Sequence, residues 1–541
     1  MTEFNRETLR DSYWTKQGIA VPHYNVKDVV KATMEATEWL HIGPGNIFRG
    51  YIAQLQNELL NQGKVKTGIA TISPADPEKL HMMQDNWDLL TLQVIMEKDG
   101  APSMEVIASV AEGVAAAEED GWSRAREIAA MPSLQLITFT ITEKGYNLRD
   151  LSGNYTDMVL SDIEKGPERP YHTMATTAAL LLKRYQAGGY PVTLVSMDNF
   201  THNGDKLRAM ILEIAKAWEQ NGFVDSEFIA WLEDPAQVAC PIAVIDKIVP
   251  RPDSNLGTAL EARGMKNMVP RKSSKGSIVA PYVNTEKAEY LLIENIFPNG
   301  RPPLEDVGVY ITDRETVDQF EQMKVSTCLN PLHTAIAVAG SLLRKETIAD
   351  CMEDEDLLRL VRQIGYSEGL PVVVNPGTIS PKEFLDEVIE ERLPNPHIPD
   401  TPQRIATDTS QKIAIRFGQT IQAYLERPDL EVENLKGIPL VLAFWIFYLL
   451  GVGDDGEKLE LSPDPMIDDM QDKLSGIEFG NPESVEGQLE EILRNESIFG
   501  LDLVEAGLAD KIEEYVTRLV EGPGQVRKLL QEVLTDNGDD D

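Results

Sequence analysis

The amino-acid sequence predicts an α/β protein: a parallel, doubly wound sheet in the first half, followed by a mainly α-helical second half. Three observations carry the prediction. Short β-branched apolar runs alternate with helical stretches through the first half. The first of these runs enters a glycine-bearing turn that opens a helix. From about residue 306 the apolar spacing becomes helical and stays so almost to the end. Strands alternating with helices need crossover connections, and crossovers build parallel sheets.

The strand-like segments are WLHIGPG (39–45), KTGIATIS (66–73), LTLQVIM (90–96), LQLITFTIT (134–142) and YPVTLVSM (190–197), each apolar, short and bounded by turn residues. Between them lie IFRGYIAQLQNELLNQG, TMATTAALLLKRYQAGG and GDKLRAMILEIAKAWEQNG, with the apolar spacing of helices. The second half offers HTAIAVAGSLL, DLLRLVRQIGY, FLDEVIEERL, KIAIRFGQTIQAYL and VEGQLEEILRNES, then an amphipathic LADKIEEYVTRLVEGPGQVRKLLQEVL. The most apolar run, IPLVLAFWIFYLLGVG (438–453), is shorter than the roughly 20 residues a membrane span requires and reads as a buried core helix. The expected organisation is a dinucleotide-type α/β domain over 1–285, a helical substrate domain over 286–535, and a disordered acidic tail, 536–541. The Pro/Gly-bearing IFPNGRPPLED marks the junction.

The charge balance excludes some partners. Lys and Arg number 50 against 88 Asp and Glu, a net charge of −38. Nucleic acids and anionic membranes would be repelled. An anionic small molecule therefore needs a locally basic pocket, while the acidity elsewhere serves solubility. The three cysteines, Cys240, Cys328 and Cys351, form no CxxC and fit a reducing compartment. The N-terminal MTEFNRETLRDSYW has no apolar signal core, so a cytoplasmic protein is expected, as monomer or small homo-oligomer. Seven scattered histidines show no metal-ligand spacing, and neither a GxSxG elbow nor a P-loop is present.

Candidate chemistry sits at strand ends. In HIGPGNIFRG, Gly43, Gly45 and Asn46 open a helix, where backbone amides can receive a pyrophosphate; Arg49 adds a positive charge, and Phe48 stands where a third glycine is usual. A ligand-free tight turn fits the same residues. Asp76, after the second strand, is placed to read a ribose 2′-hydroxyl, which favours NAD without excluding NADP; it is equally placed to cap a helix. Thr142 and Gly145 of TEKGY lie where a nicotinamide would lodge, or form a plain turn. In SMDNFTHNG, Asn199 and Asn203 offer amide donors to a developing alkoxide; Asp198 and Asn203 also suit helix caps. Asp246 stands inside the apolar AVIDKIVPR, either functional or paired with a base such as Lys247. In MKVSTCLNPLHT, Asn330-Pro331 reads as a helix start, with His333 one turn on. Lys324 precedes it in an apolar setting that suits a general base; a snorkelling lysine and a core histidine explain the pair as well.

Taken in order, HIGPGNIFR, TEKGY, SMDNFTHNG, VIDKIVP, GRPPLEDVGVY, KVSTCLNPLHT, RIATDTSQK (404–412) and LLGVGDDG resemble the mannitol dehydrogenase family, the polyol-specific long-chain dehydrogenase/reductases, across most of the chain. The resemblance implies a metal-independent dehydrogenase with an N-terminal Rossmann-type domain, a helical C-terminal domain and an active site between them. It implies that Lys324 is the catalytic lysine, that Asn199 and Asn330 cradle the substrate oxygen, and that His333 orients a substrate hydroxyl. It places Asp246 beside the site, makes Glu321 the acid that gates proton escape, and puts Arg404 and Lys412 in a segment that contacts substrate. The family has four residues between the Lys and the Asn; here five intervene, VSTCL. At about 100° per residue the extra one rotates Asn330 away unless a π-bulge or a chain break absorbs it.

The function expected from the sugar-acid branch is NAD-dependent interconversion of D-fructuronate and D-mannonate, with Arg404 and Lys412 receiving the carboxylate. The rivals are mannitol 2-dehydrogenase acting on fructose and mannitol, tagaturonate reductase acting on altronate, and, outside catalysis, a dinucleotide-binding regulator or a scaffold.

Overall fold

The computed structural model describes residues 1–74, 76–150 and 152–534; the acidic tail expected over 536–541 lies outside them. The chain forms two compact units, Met1–Val317 and Asp318–Asp541.

The first unit is built on a six-stranded sheet: β1 (Trp39–Ile42), β2 (Ile69–Ser73), β3 (Val110–Ala115), β4 (Leu136–Phe139), β5 (Val192–Ser196) and β6 (Val238–Ala239). Every pairing is parallel, and the order is β3-β2-β1-β4-β5-β6. The order reverses between β1 and β4, and the carboxyl ends of these two strands flank the crevice where ligands bind in such sheets. All four residues of β1 and all five of β2 are buried, because helices and loops cover both faces and every side chain meets a core. Trp39, Ile69 and Leu136 belong to one apolar cluster, and Leu40, Ala70 and Ile137 to the other. That two-sided burial is why these strands read as unbroken apolar runs.

LTLQVIM forms a strand, Thr91–Ile95, in a separate four-stranded sheet with Ile19–Ala20, Ser103–Ile107 and Tyr282–Thr285. A further sheet joins Ala243–Asp246, Tyr290–Glu294 and Tyr310–Thr312. These pairings carry the first unit past residue 285, the expected boundary, to Val317. The Pro/Gly text at 297–303 is a connection inside this unit, held where Asn299 Nδ2 donates to Leu134 O at 2.8 Å. A turn and a linker share the same composition, so the sequence could not separate them.

The second unit is helical. At its centre Gly437–Tyr448 buries all twelve residues and packs against Asn330–Leu342 and Ala509–Val520. Its first amides meet a buried acid: Glu368 accepts from Lys436, Gly437 and Ile438 N–H at 2.7, 2.6 and 2.9 Å. That satisfies the donors a helix start leaves open. No helix among the described residues is long and apolar enough to cross a membrane.

One buried histidine fixes the glycine turn. His41 on β1 is fully buried. Its Nε2 lies 3.2 Å from Gly43 O and 2.9 Å from Thr140 Oγ1, and its Nδ1 lies 2.7 Å from Thr138 Oγ1. A carbonyl only accepts, so Nε2 carries the proton and Nδ1 receives the Thr138 hydroxyl. The ring stacks on Phe48, centroids 3.9 Å apart and planes 7° from parallel. Phe48 thus takes the third glycine's place by packing on the histidine that anchors the turn. Burial holds the His41 pKa down at about 3, against an ordinary 6.5. The unfolded chain therefore takes up this proton first as pH falls, and the stability this site contributes is full above about pH 6.5 and is lost on acidification. Between pH 7 and pH 5 the wild type should lose about 2 kcal/mol through His41. His41→Gln should be less stable at pH 7 but lack that increment, measured by urea unfolding across the pH series.

Candidate active site

At the β1–β4 reversal, Gly43 adopts φ +105°, and a Cβ there would lie 2.3 Å from Thr140 O. Only glycine allows this approach. Gly43 N donates to Ile72 O at 3.0 Å, and Thr140 Oγ1 donates to Gly43 O at 2.9 Å, so the turn is tied to both neighbouring strands. The helix begins at Asn46. Arg49 N donates to Gly45 O at 3.1 Å, closing a first turn whose preceding amides have no partner within the helix. A Cβ on Gly45 would meet nothing closer than 3.9 Å, so room remains above those amides. The geometry fits a dinucleotide pyrophosphate. Asn46 Nδ2 reaches Pro250 O at 3.4 Å.

Arg49, read from the sequence as a phosphate partner, is turned inward. It is 1% exposed; its Nε donates to Thr91 Oγ1 at 3.0 Å and Nη2 to Ala280 O at 2.7 Å. It joins the helix to the adjoining sheet. Asp76 caps helix Pro77–Trp87, accepting from Lys79 N at 3.1 Å. Its Oδ2 accepts from Ser273 Oγ at 2.9 Å and Ser277 Oγ at 2.7 Å. Burial would raise its pKa, but the donors Ser277, Lys79 N and Ser273 outweigh it and hold the carboxyl below its ordinary value. Two serines far along the chain thus orient this carboxylate.

The loops after β4 and β5 are joined by Asp198. Its carboxylate accepts from Ile141 N and Thr142 N, both at 2.9 Å, and from Tyr146 OH at 2.7 Å. Thr142 is held at φ +65°, ψ 157°, a region normally left to glycine. Gly145 packs on Ile141, where a Cβ would come within 3.0 Å of the side chain. Asn203 is fully buried; its Nδ2 donates to Ser196, Asp198 and Ala243 carbonyls, and its Oδ1 accepts from Ala243 N. Asn199, four residues earlier, is exposed beyond β5. Asp246, 7% exposed, ends strand Ala243–Asp246. Lys247 is paired with Glu289 at 2.7 Å, not with Asp246.

In the second unit Lys324 is 2% exposed. It opens a π-helical turn, Lys324–Cys328, directly after helix Arg314–Met323, which carries Glu321. Leu329 N donates to Lys324 O at 3.1 Å, the i→i+5 bond of a π-bulge. Leu329 then breaks the chain direction at φ −127°, ψ −63°, and helix Asn330–Leu342 begins. The extra residue of VSTCL is absorbed by both devices. Asn330 is the first helical residue rather than a side-chain cap; the cap expected of it fails because the π turn already positions the chain. Its amide has no hydrogen-bond partner among the described residues.

His333 follows one turn later, its Nε2 3.5 Å from Asp400 Oδ2. Burial first, then the charges of Arg416, Arg404, Arg392 and Lys412, press its pKa down to about 3, so the imidazole is neutral at physiological pH. Arg404 grips Asp400, its Nε donating to Oδ1 at 2.5 Å. Lys412 donates to the carbonyls of Ile405 and Thr407. The RIATDTSQK loop is clamped by Asp464, which accepts from Ser410 N at 2.7 Å and Ser410 Oγ at 2.5 Å. Sequence reasoning missed Arg392, Asp400 and Arg416. The one available signal was Arg416, four residues after Lys412 and so on the same helical face.

A sheet in this order, with a glycine turn at its reversal, defines a dinucleotide-binding fold of Rossmann type. Residues 37–275 match the mannitol dehydrogenase Rossmann domain and 316–520 the mannitol dehydrogenase C-terminal domain. A D-mannonate oxidoreductase of Thermotoga maritima is 48% identical over 98% of both chains. A mannitol 2-dehydrogenase of Neosartorya fischeri is 29% identical over 90% of each. Among solved structures, a D-sorbitol dehydrogenase in substrate-free form superposes with TM-score 0.79 at 23% identity, covering 95% of this chain and 97% of that one. The Pseudomonas fluorescens mannitol 2-dehydrogenase ternary complex with NAD and D-mannitol gives 0.70 at 24%, covering 98% and 99%; at these identities the likeness concerns the fold. The chain belongs to the mannitol dehydrogenase family and is an oxidoreductase.

Two substitutions at the glycine crevice should move stability in opposite directions. Gly43→Ala should cost at least about 2 kcal/mol and weaken dinucleotide binding, while Thr142→Gly should release strain and stabilise by about 1 kcal/mol. Urea unfolding of the two variants, with cofactor titration by fluorescence, checks both signs.

Proposed function

We propose that the protein is a NAD-dependent sugar-acid oxidoreductase interconverting D-fructuronate and D-mannonate. The observation that carries the reading is the grouping of Arg392, Arg404, Lys412 and Arg416 about neutral His333 in a chain of net charge −38. Four cations in so acidic a protein suit an anionic substrate. The 48% identical relative that bears the name D-mannonate oxidoreductase supports the same substrate class. An anionic Asp76 favours a free ribose hydroxyl over a 2′-phosphate and so supports NAD.

When bound, the nicotinamide supplies or accepts the hydride at the carbinol carbon. The chain's own residues manage the oxygen and its proton. Asn199 and Asn330 donate N–H to the oxygen as negative charge develops. In reduction the Lys324 ammonium gives that oxygen its proton; in oxidation the amine takes it back. Glu321, one turn before Lys324, passes the proton onward to solvent. Neutral His333 hydrogen-bonds a neighbouring substrate hydroxyl. Arg404 and Lys412 contribute positive charge toward the carboxylate end. No step calls on a metal.

A panel of fructuronate, tagaturonate and fructose with NADH and NADPH tests the reading. Fructuronate with NADH should exceed the others in kcat/KM by at least about 100-fold. A preference for fructose would make the protein a mannitol 2-dehydrogenase, and one for tagaturonate an altronate oxidoreductase. Lys324→Ala should lower kcat by about 1,000-fold while leaving NAD binding intact; undiminished turnover in that variant would remove the lysine from the chemistry.

A further inference from the structure

We propose that Arg416 is the residue that reads the substrate's carboxylate and so selects a sugar acid over a neutral polyol; this deepens the reading above and rests on it. The other cations around His333 are already engaged. Arg404 is ion-paired to Asp400 through two of its nitrogens, and its side chain is 65% exposed. Lys412 is bound to two backbone carbonyls that close its own loop. Arg392 is 5% exposed, with its guanidinium 6.0 Å from the Phe384 ring centre.

Arg416 differs. Its Nη1 donates to Thr334 Oγ1, and no carboxylate among the described residues lies within ion-pair distance of it. Burial without a counter-ion pushes its pKa down to about 10. A guanidinium has five N–H donors in a planar fork, so most of its capacity is open. Leaving a half-buried cation uncompensated is costly, and a carboxylate matching that fork would relieve the cost.

Its placement suits the task. Thr334 is the residue after His333, so the guanidinium reaches the helix that carries Asn330 and His333. Arg416 belongs to a π-helical turn, Ala414–Gly418, which continues into helix Gln419–Glu426. That helix is bound to the Lys324 turn: Ser326 Oγ donates to Gln419 Oε1 at 2.6 Å, and Thr420 Oγ1 donates to Ser326 O at 3.3 Å. The proposed charge reader and the proton donor are thus held by one hydrogen-bonded framework. In D-fructuronate the carboxylate sits at the far end of the carbon chain from the ketone, so its reader must stand apart from Lys324 yet be fixed relative to it.

The test compares wild type, Arg416→Leu, Arg416→Lys and Thr334→Val as full-length proteins, each checked for unaltered thermal unfolding and NAD affinity. Arg416→Leu should raise the fructuronate KM by about 100-fold with kcat within about threefold. Arg416→Lys should recover part of that loss, because it restores charge without the fork. Thr334→Val should raise the same KM by about tenfold by freeing the guanidinium from its anchor. Fructose, which has no carboxylate, should be affected far less by all three. An unchanged fructuronate KM in Arg416→Leu overturns the proposal, as does an equal loss on both sugars or a fall in kcat alone. A wild type that binds NAD but turns over no sugar acid sinks the parent reading instead, and the proposal with it.

Discussion

The hydrogen bond from Leu329 N to Lys324 O is the constraint on which the candidate site of the helical unit depends. It spans five residues where an α-helix would span four, and so holds an extra residue between Lys324 and Asn330 without unwinding the chain. The turn it closes buries a lysine to 2% exposure. The break at Leu329 then resets the axis, so that helix Asn330–Leu342 presents Asn330 and His333 one turn apart. A regular α-helix through VSTCL would carry Asn330 about 100° around from that position.

Electrostatics divides the two units. In the first, fixed dipoles and carboxylates prevail: the amides at Asn46, the Asp198 carboxylate tying two loops together, and Asp76 held anionic by two serines. Such groups suit a cofactor whose phosphates need backbone donors and whose ribose needs an acceptor. In the second, a set of cations surrounds a neutral imidazole. His333 stays neutral because burial and four positive charges oppose its protonation together, so it can both donate and accept hydrogen bonds to a polyhydroxylated chain.

Strain and satisfaction are placed with the same economy. Thr142 is held in a glycine-like conformation by Asp198 at a strand end that faces the crevice, whereas Asn203, four residues past Asn199, uses its whole amide to fasten the loop. Of two similar asparagines in one loop, Asn203 is buried and builds it, while Asn199 is exposed.

By itself the sequence determined the fold class, the strand and helix alternation, the buried apolar helix at 438–448 and the family, because each rests on periodicity or on motif order along the chain. It also singled out Gly43, Lys324, Asn330 and His333 as candidates, whose local context is contiguous, and a count of residues called for a π-bulge or a chain break before Asn330, of which the structure has both. Only the tertiary structure decided what depends on distant partners. Arg49 turns to Thr91 and Ala280, Asp76 meets Ser273 and Ser277, Lys247 pairs with Glu289, and among the described residues Arg404 has an acid at ion-pair distance while Arg416 has none. The late end of the first unit, at Val317, is of the same kind, since strands after residue 285 pair with partners far earlier or reached by long connections. Hydrogen bonds and ion pairs form between residues that folding brings together, and a one-dimensional pattern records which groups are present but not which of them meet.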